Sequence, residues 1–223
     1  MLALQKIYHL VQHAIRIEIR NKHGILGLLI FAIAAVYVCY QTTGSSVHSE
    51  SWNALIWVVL LFAAFNAVSK PWADDSAAMR SVLFHTVSPQ HWILARIIYY
   101  TLMLCAMGLA VFLGFVIFLG LEPFKSSSPL HFFLGVELTA VALAALLALI
   151  QAIASRAGGG FSLISVLGLP LIIPIILIST RFGSDLISGM AFADTAHHLL
   201  FLATLTGGFV ALGYILFPYL WRD

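Results

Sequence analysis

Charge is scarce in this chain. Asp, Glu, Lys and Arg make up 9% of its 223 residues, hydrophobic residues make up 61%, and the mean hydropathy is +1.01. Soluble domains carry about 25% charged residues, so this composition excludes a soluble globular domain and points to a polytopic membrane protein. The eleven Lys and Arg, with a net charge of +2, are placed by topology and form no phosphate-binding patch, so no nucleic-acid partner is expected. Cysteine is nearly absent too. Cys39 and Cys105 lie in separate apolar runs with no CxxC or Cys/His spacing, so no zinc site or disulfide framework is expected and both read as buried thiols.

Signatures of catalysis are missing as well. There is no HExxH, no GxSxG and no pair of intramembrane aspartates, so no catalytic, cofactor-binding or metal-ligating residue is assigned. There is also no GxxxxGK[ST] phosphate loop, and the Gly-rich "SRAGGGFS" lacks the lysine that would reach a nucleotide. ATP hydrolysis is therefore not expected of this chain. A cleavable leader is not expected either, because a polar 23-residue segment precedes the first apolar run and no small-x-small site follows it.

What is present is length in apolar runs. Six segments, near 24–40, 52–69, 97–120, 131–154, 161–180 and 197–220, are long enough for a bilayer core that takes about 20 helical residues. The expected fold is an all-α membrane protein: residues 1–23 form an amphipathic interfacial helix and residues 24–223 a six-span domain. An even number of spans puts both termini on one side. Lys6, Arg16, Arg20, Lys22, Lys70, Arg80, Arg96, Arg156 and Arg222 fall on that side, against Lys125 and Arg181 on the other. Nine against two makes the termini cytoplasmic by the positive-inside rule, in a cell inner membrane. Trp52, Trp57, Trp72, Trp92 and Trp221 fall near span ends, where indole rings favour the lipid interface.

At helical spacing, Lys6, His9, Gln12, His13, Arg16 and Arg20 share one arc, and Ile7, Leu10, Val11, Ala14, Ile15 and Ile17 the opposite one. This segment reads as a helix lying on the membrane. Glu18 breaks the pattern from the apolar side, so it requires a partner: either Lys22 four residues on, or a cation or hydrogen-bond donor in a neighbouring segment.

The longest later interruption is "SKPWADDSAAMRSVLFHTVSPQHWILAR", Ser69 to Arg96. Asp74 or Asp75 caps a short helix, Met79, Val82, Leu83 and Val87 give it one apolar side, and Ser88 with Pro89 stops it and starts the next span. Such a helix either rests on lipid or fits a groove in a soluble partner and passes motion to the spans.

Three stretches, "IEIRNKHGILG", "FNAVSK" through "SPQHWILARIIY", and "QAIASRAGGGFSLISVLGLPLIIPIIL", together with the length and span order, resemble the haem exporter protein B (CcmB) family. That family supplies the permease subunit of the cytochrome c maturation ABC complex and has an ABC-2 type membrane fold. Two departures stand out. "DDSAAMRS" lacks the family's usual Gly near the short cytoplasmic helix, and Arg96 replaces the usual Lys before "IIY". The resemblance implies haem delivery, or release of a haem-loaded chaperone, for c-type cytochrome biogenesis. A generic ABC-2 exporter of lipid or drug-like compounds is the alternative. It also implies an ATPase subunit of the cytochrome c maturation A type that holds the ATP, a second membrane protein of the same system that handles haem, pairing of two copies of this chain, and contact with membrane lipid. Haem enters as a handled or transported ligand; the tryptophan-rich haem-handling motif of that second membrane protein is absent here. Asp74, Asp75, Met79, Arg80, Val82, Leu83 and Val87 would then form the coupling helix that meets the ATPase.

Two features inside the spans remain. Glu137, about two turns into the fourth span and close to its external end, is an intramembrane carboxylate and hence a candidate functional group. Pro170 and Pro174 each remove a backbone donor from the fifth span, giving either a fixed kink or a hinge. His197 and His198 are adjacent and face different sides of a helix. His9 and His13 share the basic polar arc, so neither pair reads as a metal site.

Overall fold

The computed structural model describes residues 2–20, 22–43, 48–68, 87–125, 127–157 and 160–221. Its regular elements are α1 (Leu2–Arg20), α2 (Lys22–Thr43), α3 (Ser49–Val68), α4 (Pro89–Leu119), α5 (Pro129–Arg156), α6 (Gly160–Ile187) and α7 (Phe192–Trp221), with one 3-10 turn at Glu122–Phe124. No strand occurs among the described residues. Six of these helices, α2 to α7, are long and apolar enough to cross a membrane, and they match the six apolar runs one for one. Backbone groups without water must bond within their own segment, which is why such runs form helices.

Span ends differ from the sequence expectation in three places. α4 begins at Pro89, well before residue 97, with proline at the first helical positions, where its missing N–H costs nothing. α6 continues past residue 180 to Ile187, because Arg181, Ser184 and Asp185 are polar but keep helical geometry. α7 begins at Phe192, not near 197, so residues 188–191 alone make the turn. That turn is a Schellman cap. Met190 N–H bonds to Asp185 O and Gly189 N–H to Leu186 O, each at 3.1 Å, with Gly189 at φ 91°.

α5 is the central helix, packed against α3, α4, α6 and α7. Its run "TAVALAALLALIQAIA" supplies Ala140, Ala142, Ala144, Ala145, Ala148 and Ala152, all fully buried. Small side chains let helices approach closely, and dispersion then holds a bundle whose surroundings are as apolar as its core. The outward faces carry Ile117, Val166, Leu200 and Tyr219, all strongly exposed, as expected for a surface that meets lipid.

The tryptophans depart from the interface expectation. Trp52, Trp57 and Trp92 are 0%, 1% and 7% exposed. Trp52 sits edge-on to Phe115, Phe124 and Phe132, with centroids 5.0–5.3 Å away. Trp92 stacks on Phe217 of α7 at 4.9 Å. Ends of helices inside a bundle face other helices before they face lipid, so proximity to a span end does not place a ring at the interface. α1 shows the expected two-sidedness: Lys6, His9, Gln12, His13, Arg16 and Arg20 are exposed, while Val11 and Ala14 are buried. α1 packs mainly against α4.

Candidate functional site

Gln151, on α5, lies in a stretch of alanine, leucine and isoleucine, and its amide needs partners there. Its Oε1 accepts from Arg96 Nη2 at 2.8 Å and from the Tyr100 hydroxyl, both on α4. Its Nε2 donates to the backbone carbonyl of Val68 at 3.0 Å. Val68 is the last residue of α3, and Arg96 lies two turns into α4. One side chain therefore fastens both roots of the 69–88 connection to the central helix.

Arg96 is fully buried, with its guanidinium 4.7 Å from the Trp92 ring centroid and 5.9 Å from that of Tyr100. Aromatic faces stabilise a desolvated cation, and here two of them flank it. Arginine suits this place better than lysine, because its planar fork can stack and donate together. On the neighbouring turn Tyr99 lies beside Glu18 of α1, both lining one recess. Of the two expected kinds of partner, the Lys22 side chain lies outside what the structure describes, and the packing of α1 on α4 sets Tyr99 beside Glu18.

Of the expected coupling residues, Asp74, Asp75, Met79, Arg80, Val82 and Leu83 lie outside the described residues. Val87 is described. It sits in a bend just before α4, half-buried against the core, so the expected helix does not extend through it.

At the opposite end of the bundle, Asn53 of α3 plays a part like that of Gln151. Its Nδ2 donates to Thr180 O of α6 and its Oδ1 accepts from Trp57 Nε1, each at 2.8 Å. The backbones are close there: a Cβ at Gly183 would lie 2.0 Å from Asn53 Oδ1. Thr139 of α5 and Ser179 of α6 share a buried hydrogen bond of 2.8 Å. Asp185 and His198 pair at 2.9 Å between α6 and α7, and His197 Nδ1 lies 2.7 Å from Asp194 O. Both histidines therefore make local polar contacts. Among the described residues no group of three or more His, Cys, Asp or Glu could hold a metal.

Glu137 faces α4, where it lies against Gly108. Its Oε1 is buried without a hydrogen-bond partner among the described residues, and a Cβ at Gly108 would lie 3.1 Å from it. Glu137 lies about two turns into α5, as its place in the apolar run implies. Pro170 and Pro174 both lie inside the continuous α6, on its outward and half-exposed sides. Their rings withhold the N–H groups that would bond to the Val166 and Pro170 carbonyls.

Sequence reasoning misses Gln151 and Asn53. The signal is there: a polar side chain within an apolar span requires a partner, whether or not it carries charge. Arg96 enters the sequence reading as a topology marker and as a replacement for the family's usual Lys, yet it is among the most buried residues of the bundle.

A family model described as CcmB protein matches residues 5–219, which takes in α1 and all six long apolar helices. No curated protein matches the chain.

Proposed function

The chain belongs to the CcmB protein family, and we propose from that premise that it is the membrane permease subunit of an ABC complex acting in c-type cytochrome biogenesis. The observation that carries this reading is the fastening of Val68 and Arg96 by Gln151. A permease without its own phosphate loop must receive its energy through a loop, and a loop transmits displacement only if its roots are anchored to the part that moves. Here both roots are held to the central helix of the bundle.

In this reading the termini and the 69–88 connection face the cytoplasm of a cell with this chain in its inner membrane. A separate ATPase subunit docks on that connection, through Asp74, Asp75, Met79, Arg80, Val82 and Leu83. α1 lies on the cytoplasmic leaflet with its basic arc toward the headgroups. Two copies pair, since two ATPases act on two membrane halves, and a haem-handling membrane protein joins them. The work done is haem delivery or release of a haem-loaded chaperone at the outer face, with Glu137 and the Pro170–Pro174 region as the intramembrane groups that respond.

The test is a pull-down of the tagged chain in mild detergent with identification of its partners. Recovery of an ATPase together with cytochrome-assembly proteins is the expected result. An ATPase without them would shift the reading to a generic ABC-2 exporter, and recovery of no ATPase would overturn it.

A further inference from the structure

Between α1, α2 and α4 there is a recess of about 300 Å3, lined almost wholly by apolar side chains. That is about ten times a water's share of liquid volume. Leu28 and Met107 form its buried floor, while Ile19 and Leu102, 57% and 51% exposed, stand at its mouth. The mouth opens sideways onto apolar surface of the kind that meets lipid. At one point the lining is not apolar: Glu18 reaches it from α1. Tyr99 lines the recess beside it, and Glu18 Oε1 is buried with no partner among the described residues. A carboxylate held against an apolar lining without a donor is costly, and a donor carried by a bound ligand would offset that cost.

We propose that this recess binds one aminophospholipid, with an acyl chain in the apolar chamber and the primary ammonium donating to the Glu18 carboxylate at its rim. The reading needs only that the chain spans a bilayer and does not depend on the transport function. An ammonium offers three N–H donors and the charge opposite to the carboxylate, and charge-assisted hydrogen bonds are the strong ones. Phosphatidylcholine has no N–H to give. Phosphatidylglycerol brings only negative charge toward Glu18, and a haem would bring two propionates with the same defect. The 69–88 connection is rooted on the same helix, since Arg96 lies within one turn of Tyr99, so an occupied recess braces α1 against the segment that carries Arg96.

The experiment is native mass spectrometry of the full chain, delipidated and titrated separately with phosphatidylethanolamine, phosphatidylcholine and phosphatidylglycerol. One phosphatidylethanolamine per chain is expected to be retained with about a tenfold preference over the other two, equivalent to about 1.4 kcal/mol. Glu18→Gln, which keeps the shape and removes the charge, is expected to abolish the preference. Ala106→Trp fills the recess from an exposed lining position and is expected to remove the retained lipid whatever its headgroup. A wild-type chain that ranks the three lipids equally overturns the proposal irrespective of either variant. So does a Glu18→Gln chain that keeps the wild-type preference.

Discussion

Replacing Gln151 by leucine removes the acceptor of Arg96 and Tyr100 and the donor to Val68 in one step, and leaves the volume of the site nearly unchanged. Hydrogen bonds between membrane helices average about 0.6 kcal/mol each, so three of them give about 2 kcal/mol. The Arg96 bond should stand above that average, because bonds to a charged group are the stronger kind and the guanidinium is fully buried. Arg96 keeps its contacts with the Trp92 and Tyr100 rings, which limits the loss. The folded population should therefore fall about thirtyfold or somewhat more, read as a lower midpoint in reversible unfolding from mixed micelles. Gln151→Glu separates the two halves of the site. It keeps an acceptor for Arg96 and Tyr100 but sets a carboxylate against the Val68 carbonyl, so it releases α3 while retaining α4. Its midpoint should stay well above that of Gln151→Leu, while cytochrome c maturation falls in both. Equal midpoints for Gln151→Leu and wild type would refute the energetic reasoning. Normal maturation in Gln151→Glu would refute the role given to the Val68 root.

Gly183→Ala should destabilise by about 1–3 kcal/mol, because its Cβ would lie 2.0 Å from Asn53 Oδ1, and Asn53 is pinned by its bonds to Thr180 and Trp57. Gly207→Ala, with nothing within 4 Å in the exposed middle of α7, should be neutral or gain up to about 1 kcal/mol, and identical unfolding midpoints for the two variants would count against the close approach of α3 and α6. Pro170→Ala combined with Pro174→Ala restores two backbone donors in α6 and should impair cytochrome c assembly while leaving membrane insertion unchanged; normal assembly would reduce both prolines to packing. Cysteines placed at Ser127 and Ser188 should react with an impermeant reagent from outside intact cells and one at Ser76 should not, and outside labelling at Ser76 would reverse the orientation.

The number and order of helices are legible because a bilayer span needs an apolar length that sequence displays directly. The need of Glu18 for a partner is legible for the same reason, since one acid on an apolar arc violates a pattern. Its surroundings are not. Tyr99 is far along the chain, and only the packing of α1 on α4 sets it beside Glu18. Arg96 shows the opposite difficulty: its charge marks a span end, yet it lies two turns inside α4 and fully buried, because a cation can be buried once two rings and an amide surround it. Span ends expected at 180 and 97 fall elsewhere because polarity alone does not end a helix. Arg181, Ser184 and Asp185 continue the α6 helix, and Trp92 and Arg96 belong to the first turns of α4.

The placement of polar contacts along the central helix bears on how motion could cross the bundle. α5 is apolar and closely packed through its alanine run, so its middle has little freedom to reshape and it moves as a body. Its directional contacts stand toward the two ends of that run: Gln151 toward the roots of the 69–88 connection, and Thr139 toward Ser179 on α6. Hydrogen bonds either form or break, whereas apolar contacts slide, so these two places set which neighbour follows α5 when it shifts. On α6 the Ser179 and Thr180 contacts lie on one side of Pro170 and Pro174, and residues 160–169 lie on the other. A displacement that pulls on Ser179 is therefore carried toward a stretch of α6 where two backbone hydrogen bonds are already missing. The bend this favours is at the prolines, not at the alanine-packed centre. Loss of the Thr139–Ser179 bond in Thr139→Val should leave the Pro170→Ala, Pro174→Ala variant with no further defect in maturation, because both changes interrupt the same route. An additive defect in the combined variant would show that α5 and the prolines act separately.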